Sequence, residues 1–181
     1  GAQGALLQGN RVYGHPSYIG LYVANGTVRL EGNEVFGNQT GIQAYTNTAG
    51  ARIEVVGNVV RENAGTGIGA SSYGGGSVLV QGNEVFDHGN GTGISLGYGA
   101  MALDNEVYRN RIGIGGSFGG DGRIEGNRVY ANSYIGIEAN HYAVIGNRVY
   151  ANSYGITDRN NSRVENNLVY ANTSQGIQIN G

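Results

Sequence analysis

Apolar residues recur along this chain in three fixed columns. Set in register on Asn10, Asn33, Asn58, Asn83, Asn105, Asn127, Asn147 and Asn167, the chain falls into eight copies spaced 23, 25, 25, 22, 22, 20 and 20 residues apart. Three residues before each anchor stand Leu7, Leu30, Val55, Val80, Ala102, Ile124, Val144 and Val164, and two after it a valine recurs from Val12 to Val169. A third column follows a glycine: Leu21, Ile42, Ile68, Ile94, Ile114, Ile137, Ile156 and Ile177. Polar residues flank the apolar ones, as Arg29 and Glu31 flank Leu30. That is the two-residue period of a strand, not the 3.6 of a helix. Each copy therefore predicts three short strands rich in β-branched residues and bounded by Gly or Asn.

Self-similarity at this period predicts a solenoid, because one coil cannot bury its apolar face until copies stack on it. The expected fold is all-β, a parallel β-helix of about eight coils of 20–25 residues with three short strands per coil. A right-handed coil is expected from the general preference for right-handed parallel connections. Residues 1–181 read as a single β-helix domain. No helical or polar cap is evident at either end, so the domain is expected to be an excised section of a longer array, or a unit that stacks end to end.

The anchor asparagines have a structural role that needs no ligand. Asn tolerates the left-handed backbone of a corner, and its amide both donates and accepts hydrogen bonds. Stacked coils should align these amides as a ladder. A second ladder is expected five residues on, at His15, Asn38, Asn63, His88, Asn110, Asn132, Asn152 and Asn172, with the two histidines standing in for asparagine.

Composition narrows the functional classes. Glycine accounts for 35 of 181 residues, and only 13% are charged, against about 25% in ordinary domains. The net charge is −2 and every basic side chain is arginine. There is no basic stripe for nucleic acid. No apolar run approaches the roughly 20 residues of a membrane helix, so membrane insertion is not expected. Cysteine is absent, which excludes disulfides and thiolate metal sites. Four aspartates, Asp87, Asp104, Asp121 and Asp158, fall at different offsets in different coils. They make no acid–base pair, and the single fragment Gly119-Gly120-Asp121-Gly122 does not amount to a calcium repeat. His15 and His88 lie three coils apart, too far to share a metal, and His141 is assigned to a turn. No cofactor is expected, and calcium at the Gly119–Gly122 fragment is the one metal alternative left open.

Two aromatic features stand out. Tyr13, Phe36, Phe86, Tyr108, Tyr130, Tyr150 and Tyr170 follow the recurrent valine, with Arg61 interrupting. They read either as a strip for sugar rings or, in preference, as a stack that stabilises neighbouring coils. The longest connections follow coils two and three, and loops that vary on a regular scaffold commonly carry binding. Tyr45, Tyr73 and Tyr98 belong to these loops or border them, and are the candidate ligand-binding residues.

The Gly-Asn-x-Val-Tyr-x-Asn and Gly-Ile units, as in Gly126–Asn132 and Gly136-Ile137, resemble the right-handed parallel β-helix repeats of pectate-lyase-like proteins, alginate C5-epimerases, periplasmic NosD-type proteins and large bacterial surface proteins. The resemblance covers the whole chain. It implies an extracellular, cell-surface or periplasmic location and a polysaccharide partner. It also raises epimerase chemistry through a Tyr-Gly-Phe-Asp-Pro-His motif. The nearest segment is Tyr154-Gly155-Ile156-Thr157-Asp158-Arg159, where Asp158 is displaced by one and Pro-His is missing. No catalytic residue is assigned. The expectation is a structural or adhesive module that contacts carbohydrate. The alternative is the scaffold of a polysaccharide lyase or uronate C5-epimerase, with Arg109, Arg111, Arg123 and Arg128 as the only basic groove candidates, unless they pair with Glu106 and Glu125.

Overall fold

The computed structural model describes residues 4–180. Its described residues form twenty-four strands and no helix, arranged as three parallel eight-stranded sheets, each taking one strand from every coil. The third coil shows the unit: Arg52–Val56 in the first sheet, Val59–Arg61 in the second and Ile68–Ser72 in the third. This is the parallel β-solenoid with three strands per turn that the repeat predicts.

The sequence columns are the ladder registers. Leu30 pairs with Val55 and Val55 with Val80 in the first sheet. Val35, Val60 and Val85 pair in the second, and Ile42, Ile68 and Ile94 in the third. These side chains are fully buried and form one continuous apolar core. At about 25 cal/mol per Å² of apolar surface removed from water, this stacking is the main driving force of the fold. No coil can gain it alone.

Both asparagine ladders form. Asn33 Nδ2 donates to Asn58 Oδ1 at 2.9 Å and to the Leu7 carbonyl at 2.9 Å, while its backbone N–H donates to the same Asn58 Oδ1 at 2.9 Å. The same bonds recur at Asn58, Asn83, Asn105, Asn127 and Asn147. Each amide is thus satisfied in a site where an unmatched polar group costs about 1–3 kcal/mol.

The left-handed backbone falls one residue earlier than expected. Positive φ belongs to the residue before each anchor, Gly9, Gly32, Gly57, Gly82, Asp104, Gly126, Gly146 and Asn166, and none of the ladder asparagines adopts it. The ladder residue must aim its amide along the stack. The preceding residue makes the bend.

The Gly-Ile unit also has a cause that spacing alone did not reveal. A Cβ on Gly136 would lie 2.6 Å from Val149 Cγ1 and 2.8 Å from Asn152 Nδ2, and Gly41, Gly93 and Gly113 face the same combination of valine and ladder asparagine from the next coil. The glycine column leaves room for the second ladder. His88 occupies that ladder opposite Gly67. Its Nδ1 accepts from the Asn63 backbone N–H at 3.1 Å, and Nε2 has no hydrogen-bond partner.

Candidate functional site

The corner between the third and first sheets varies most from coil to coil, and it carries a ridge of aromatic rings. Tyr45 lies within the strand Thr40–Thr46 and not in the following loop, where its outward position in the ladder pairs it with Ser71. Tyr73 opens the next connection, and Tyr98 turns the corner after the strand Thr92–Gly97 with φ of 43°. The stacked coils bring these three rings together. Tyr45 and Tyr73 have centroids 5.7 Å apart, and Tyr73 and Tyr98 3.9 Å apart. Phe118 extends the row, 5.7 Å from Tyr98 and inclined by 20°. Tyr73, Tyr98 and Phe118 remain 38%, 41% and 60% exposed. Partial burial, followed by the neighbouring Tyr98, raises the Tyr73 hydroxyl pKa, so the phenol stays a neutral donor and acceptor.

Phe118 was not singled out in the sequence. Its signal was the pairing of an aromatic with a following glycine in consecutive coils, as Tyr73-Gly74, Tyr98-Gly99 and Phe118-Gly119. Beyond Phe118 the corner opens into a cavity of about 430 Å³ lined also by His141, Tyr142, Asn161 and Arg163. Tyr142 is fully buried, and its ring lies where Gly116, Gly119 and Gly122 leave space. Burial raises its pKa, and its hydroxyl has no partner.

The aromatic column of the second sheet is organised differently. Phe86, Tyr108, Tyr130, Tyr150 and Tyr170 stack in near-parallel pairs 4.9–5.0 Å apart, and Tyr13 stacks on Phe36. Parallel stacking uses the ring faces that a sugar would need. Arg61 does not break the column so much as cap it, with its guanidinium 4.2 Å from the Phe36 centroid. The hydroxyls are also committed. Tyr108 donates to Glu84 at 2.7 Å and Tyr130 to Glu106 at 3.0 Å, while Arg128 and Arg148 donate to Tyr150 and Tyr170. Burial, then the bond to Glu106, pushes the Tyr130 pKa up to about 12. This column holds coils together. On the ridge the rings also pack on one another, and Tyr73, Tyr98 and Phe118 keep part of their surface exposed.

The remaining candidates are placed as follows. Asp158 is not an exposed corner but an inward position of the third sheet, paired in register with Ala139 and fully buried. Its carboxylate accepts from the backbone N–H groups of Asn160 and Ser162 at 3.2–3.3 Å, which closes the turn that follows. Arg159 pairs with Glu138. The four arginines do not form a groove. Arg109 pairs with Asp87, Arg123 with Glu125 and Arg128 with Glu106, while Arg111 lies 5.1 Å from the Tyr134 ring centroid. These pairs are exposed, and solvent screens them.

A solved structure of the periplasmic alginate epimerase AlgG, a T265N T268M double mutant, superposes with a TM-score of 0.56 at 18% identity, covering 86% of this chain and 49% of that one. At that identity the likeness establishes the fold, and this chain spans about half the length of the epimerase. No curated protein sequence matches the chain. A family model described as periplasmic copper-binding protein (NosD) matches residues 3–179. Copper favours imidazole, thiolate and thioether donors, and this chain has three histidines, one methionine and no cysteine. His88 is enclosed in the core, whereas His15 and His141 are exposed, and His141 stands at a different corner from the other two. Among the described residues no three of His, Cys, Asp or Glu come together, so these side chains do not fit a copper centre. The match along almost the whole repeat shows that the chain belongs to the NosD family.

Proposed function

We propose that this chain is a rigid structural or adhesive module of an extracytoplasmic protein, and that its ridge meets carbohydrate. The row on one corner, half-buried Tyr45 followed by exposed Tyr73, Tyr98 and Phe118, carries the reading. The exposed parts of these rings, with the tyrosine hydroxyls, suit the apolar C–H faces and polar edges of sugars. The periplasmic description of the family supports the location. Enzyme chemistry has less support, because the one carboxylate of the epimerase-like segment, Asp158, is occupied by backbone amides.

A glycan array that includes acidic polysaccharides tests the proposal, followed by affinity electrophoresis of the wild type and Tyr73→Ala on any binder. The ring contact predicts about a fivefold weakening in the variant, from roughly 1 kcal/mol of stacking. Thermal unfolding confirms that the variant is folded. Absence of binding to every glycan, or equal binding by Tyr73→Ala, would sink the carbohydrate part and leave a purely structural module.

A further inference from the structure

The outer face of the first sheet bears two columns of side chains, one on each flank of the inward residue. Every arginine of the first column is followed two residues on by a glutamate of the second: Arg29 by Glu31, Arg123 by Glu125 and Arg163 by Glu165. Coils five and seven carry apolar pairs instead, Met101 with Leu103 and Ala143 with Ile145, all half-buried. We infer that this face docks on the same face of a second copy of the chain, with the two solenoids side by side and parallel. The inference goes beyond the ridge reading and does not depend on it.

Charge complementarity selects both the partner and its direction. A two-fold axis running along the solenoid, over the inward column, turns the strands of one copy antiparallel to those that face them and sets the first column of each copy on the second column of the other. Arg29, Arg123 and Arg163 then meet Glu31, Glu125 and Glu165 coil by coil, while Met101 and Ala143 meet Leu103 and Ile145. Antiparallel solenoids would set each column on itself. Like charges would then oppose one another, which disfavours that arrangement. Glu54 falls opposite Val56 in the parallel pair, but Arg29 and Arg52 already hold its charge. The second sheet offers no such match, because its second column is aromatic apart from Arg61.

The pairs within each copy leave capacity for the partner. Arg123 reaches Glu125 through one nitrogen and one oxygen at 3.1 Å, and Arg163 stands 3.4 Å from Glu165. A guanidinium has five N–H donors and a carboxylate two acceptor oxygens, so each group can bond within its own copy and across the interface. Eight coils about 4.8 Å apart, with strands of three to five residues at about 3.3 Å each, make a face of roughly 500 Å². A dimer therefore buries about 1,000 Å² in all, at the low end for specific association. The expected complex is weak, with a dissociation constant of roughly 1–100 µM.

Sedimentation velocity of the wild type from about 1 to 500 µM, at low salt and at about 1 M salt, tests the inference. A monomer–dimer equilibrium that salt weakens is expected. Arg123→Glu with Arg163→Glu, and separately Glu125→Arg with Glu165→Arg, should each weaken it at least about tenfold. These exposed pairs add little to folding, so the thermal midpoint should hold. An equimolar mixture of the two variants should form a 1:1 dimer, because each then presents to the other the charge it lacks. The chain carrying all four exchanges keeps the complementarity with its sign inverted and should self-associate as the wild type does. A monomer at every concentration, a dimer indifferent to both charge reversals, or no recovery in the mixture and the fourfold exchange would overturn the inference.

Discussion

Replacing His88 by asparagine should stabilise the solenoid, and the gain should grow as the pH falls. His88 is fully buried in the second ladder. Burial, its largest influence, pushes its pKa down to about 4 from an ordinary 6.5; the Asn63 and Val60 backbones and the Asp87 charge oppose this less strongly. The folded chain therefore keeps a neutral imidazole while the unfolded chain takes up a proton. Stability is complete above about pH 6.5 and is lost as the pH falls towards 4, at about 1.36 kcal/mol per unit of difference. Between pH 7.5 and 4.5 this amounts to about 2.5 kcal/mol.

Asparagine would not titrate, and its amide could continue the run of bonds that the imidazole interrupts between Asn63 and Asn110. At neutral pH that adds about 1 kcal/mol. Urea unfolding of wild type and His88→Asn at both pH values isolates the effect. Glu31, Glu34 and Glu54, held low by hydrogen bonds from their arginine partners, lose stability in acid equally in both proteins, whereas Asp87, held low mainly by Arg109 and to a lesser extent by His88, differs between them only by that smaller contribution. Equal acid losses in the two would refute the assignment of a neutral, buried imidazole.

Other perturbations test the ladder and the glycine column. Asn105→Ala removes the acceptor for both the backbone and amide N–H of Asn83, and leaves the Val80 carbonyl and Asn127 Oδ1 without that amide. It should cost about 3–5 kcal/mol in urea unfolding. Gly136→Ala drives a Cβ against Val149, the Gly155 carbonyl and Asn152 Nδ2 and should cost about 1–3 kcal/mol; a neutral result would refute the clearance argument. Titration with Cu(II), and with Cu(I) under a competing chelator, should show no stoichiometric site, and a 1:1 isotherm abolished by His88→Asn would show that the donor argument missed one.

The fold was legible because its signal repeats. Each inward column is sampled eight times, so a substitution such as Ala102 for a larger residue does not obscure it. The asparagine ladder was legible for the same reason. What spacing did not reveal were relations between coils: that Gly136 makes room for Asn152 of the next coil, that the left-handed residue precedes the ladder residue, and that Asp158 faces inward at a position held by Ala139 one coil earlier. A column gives position along a coil. It does not give the volume that the neighbouring coil occupies.

That distinction separates scaffold from site in this molecule. Residues present in every coil, the ladder amides and the stacked column of the second sheet, have their hydrogen bonds or ring faces taken up by the coils above and below. Groups left available lie where neighbouring coils differ. Phe118 and Tyr98 turn corners at positions that other coils give to Asn25 or His141. In a solenoid whose identical neighbours satisfy one another, recognition must come from the irregular residues. Composition cannot identify them, because each occurs once.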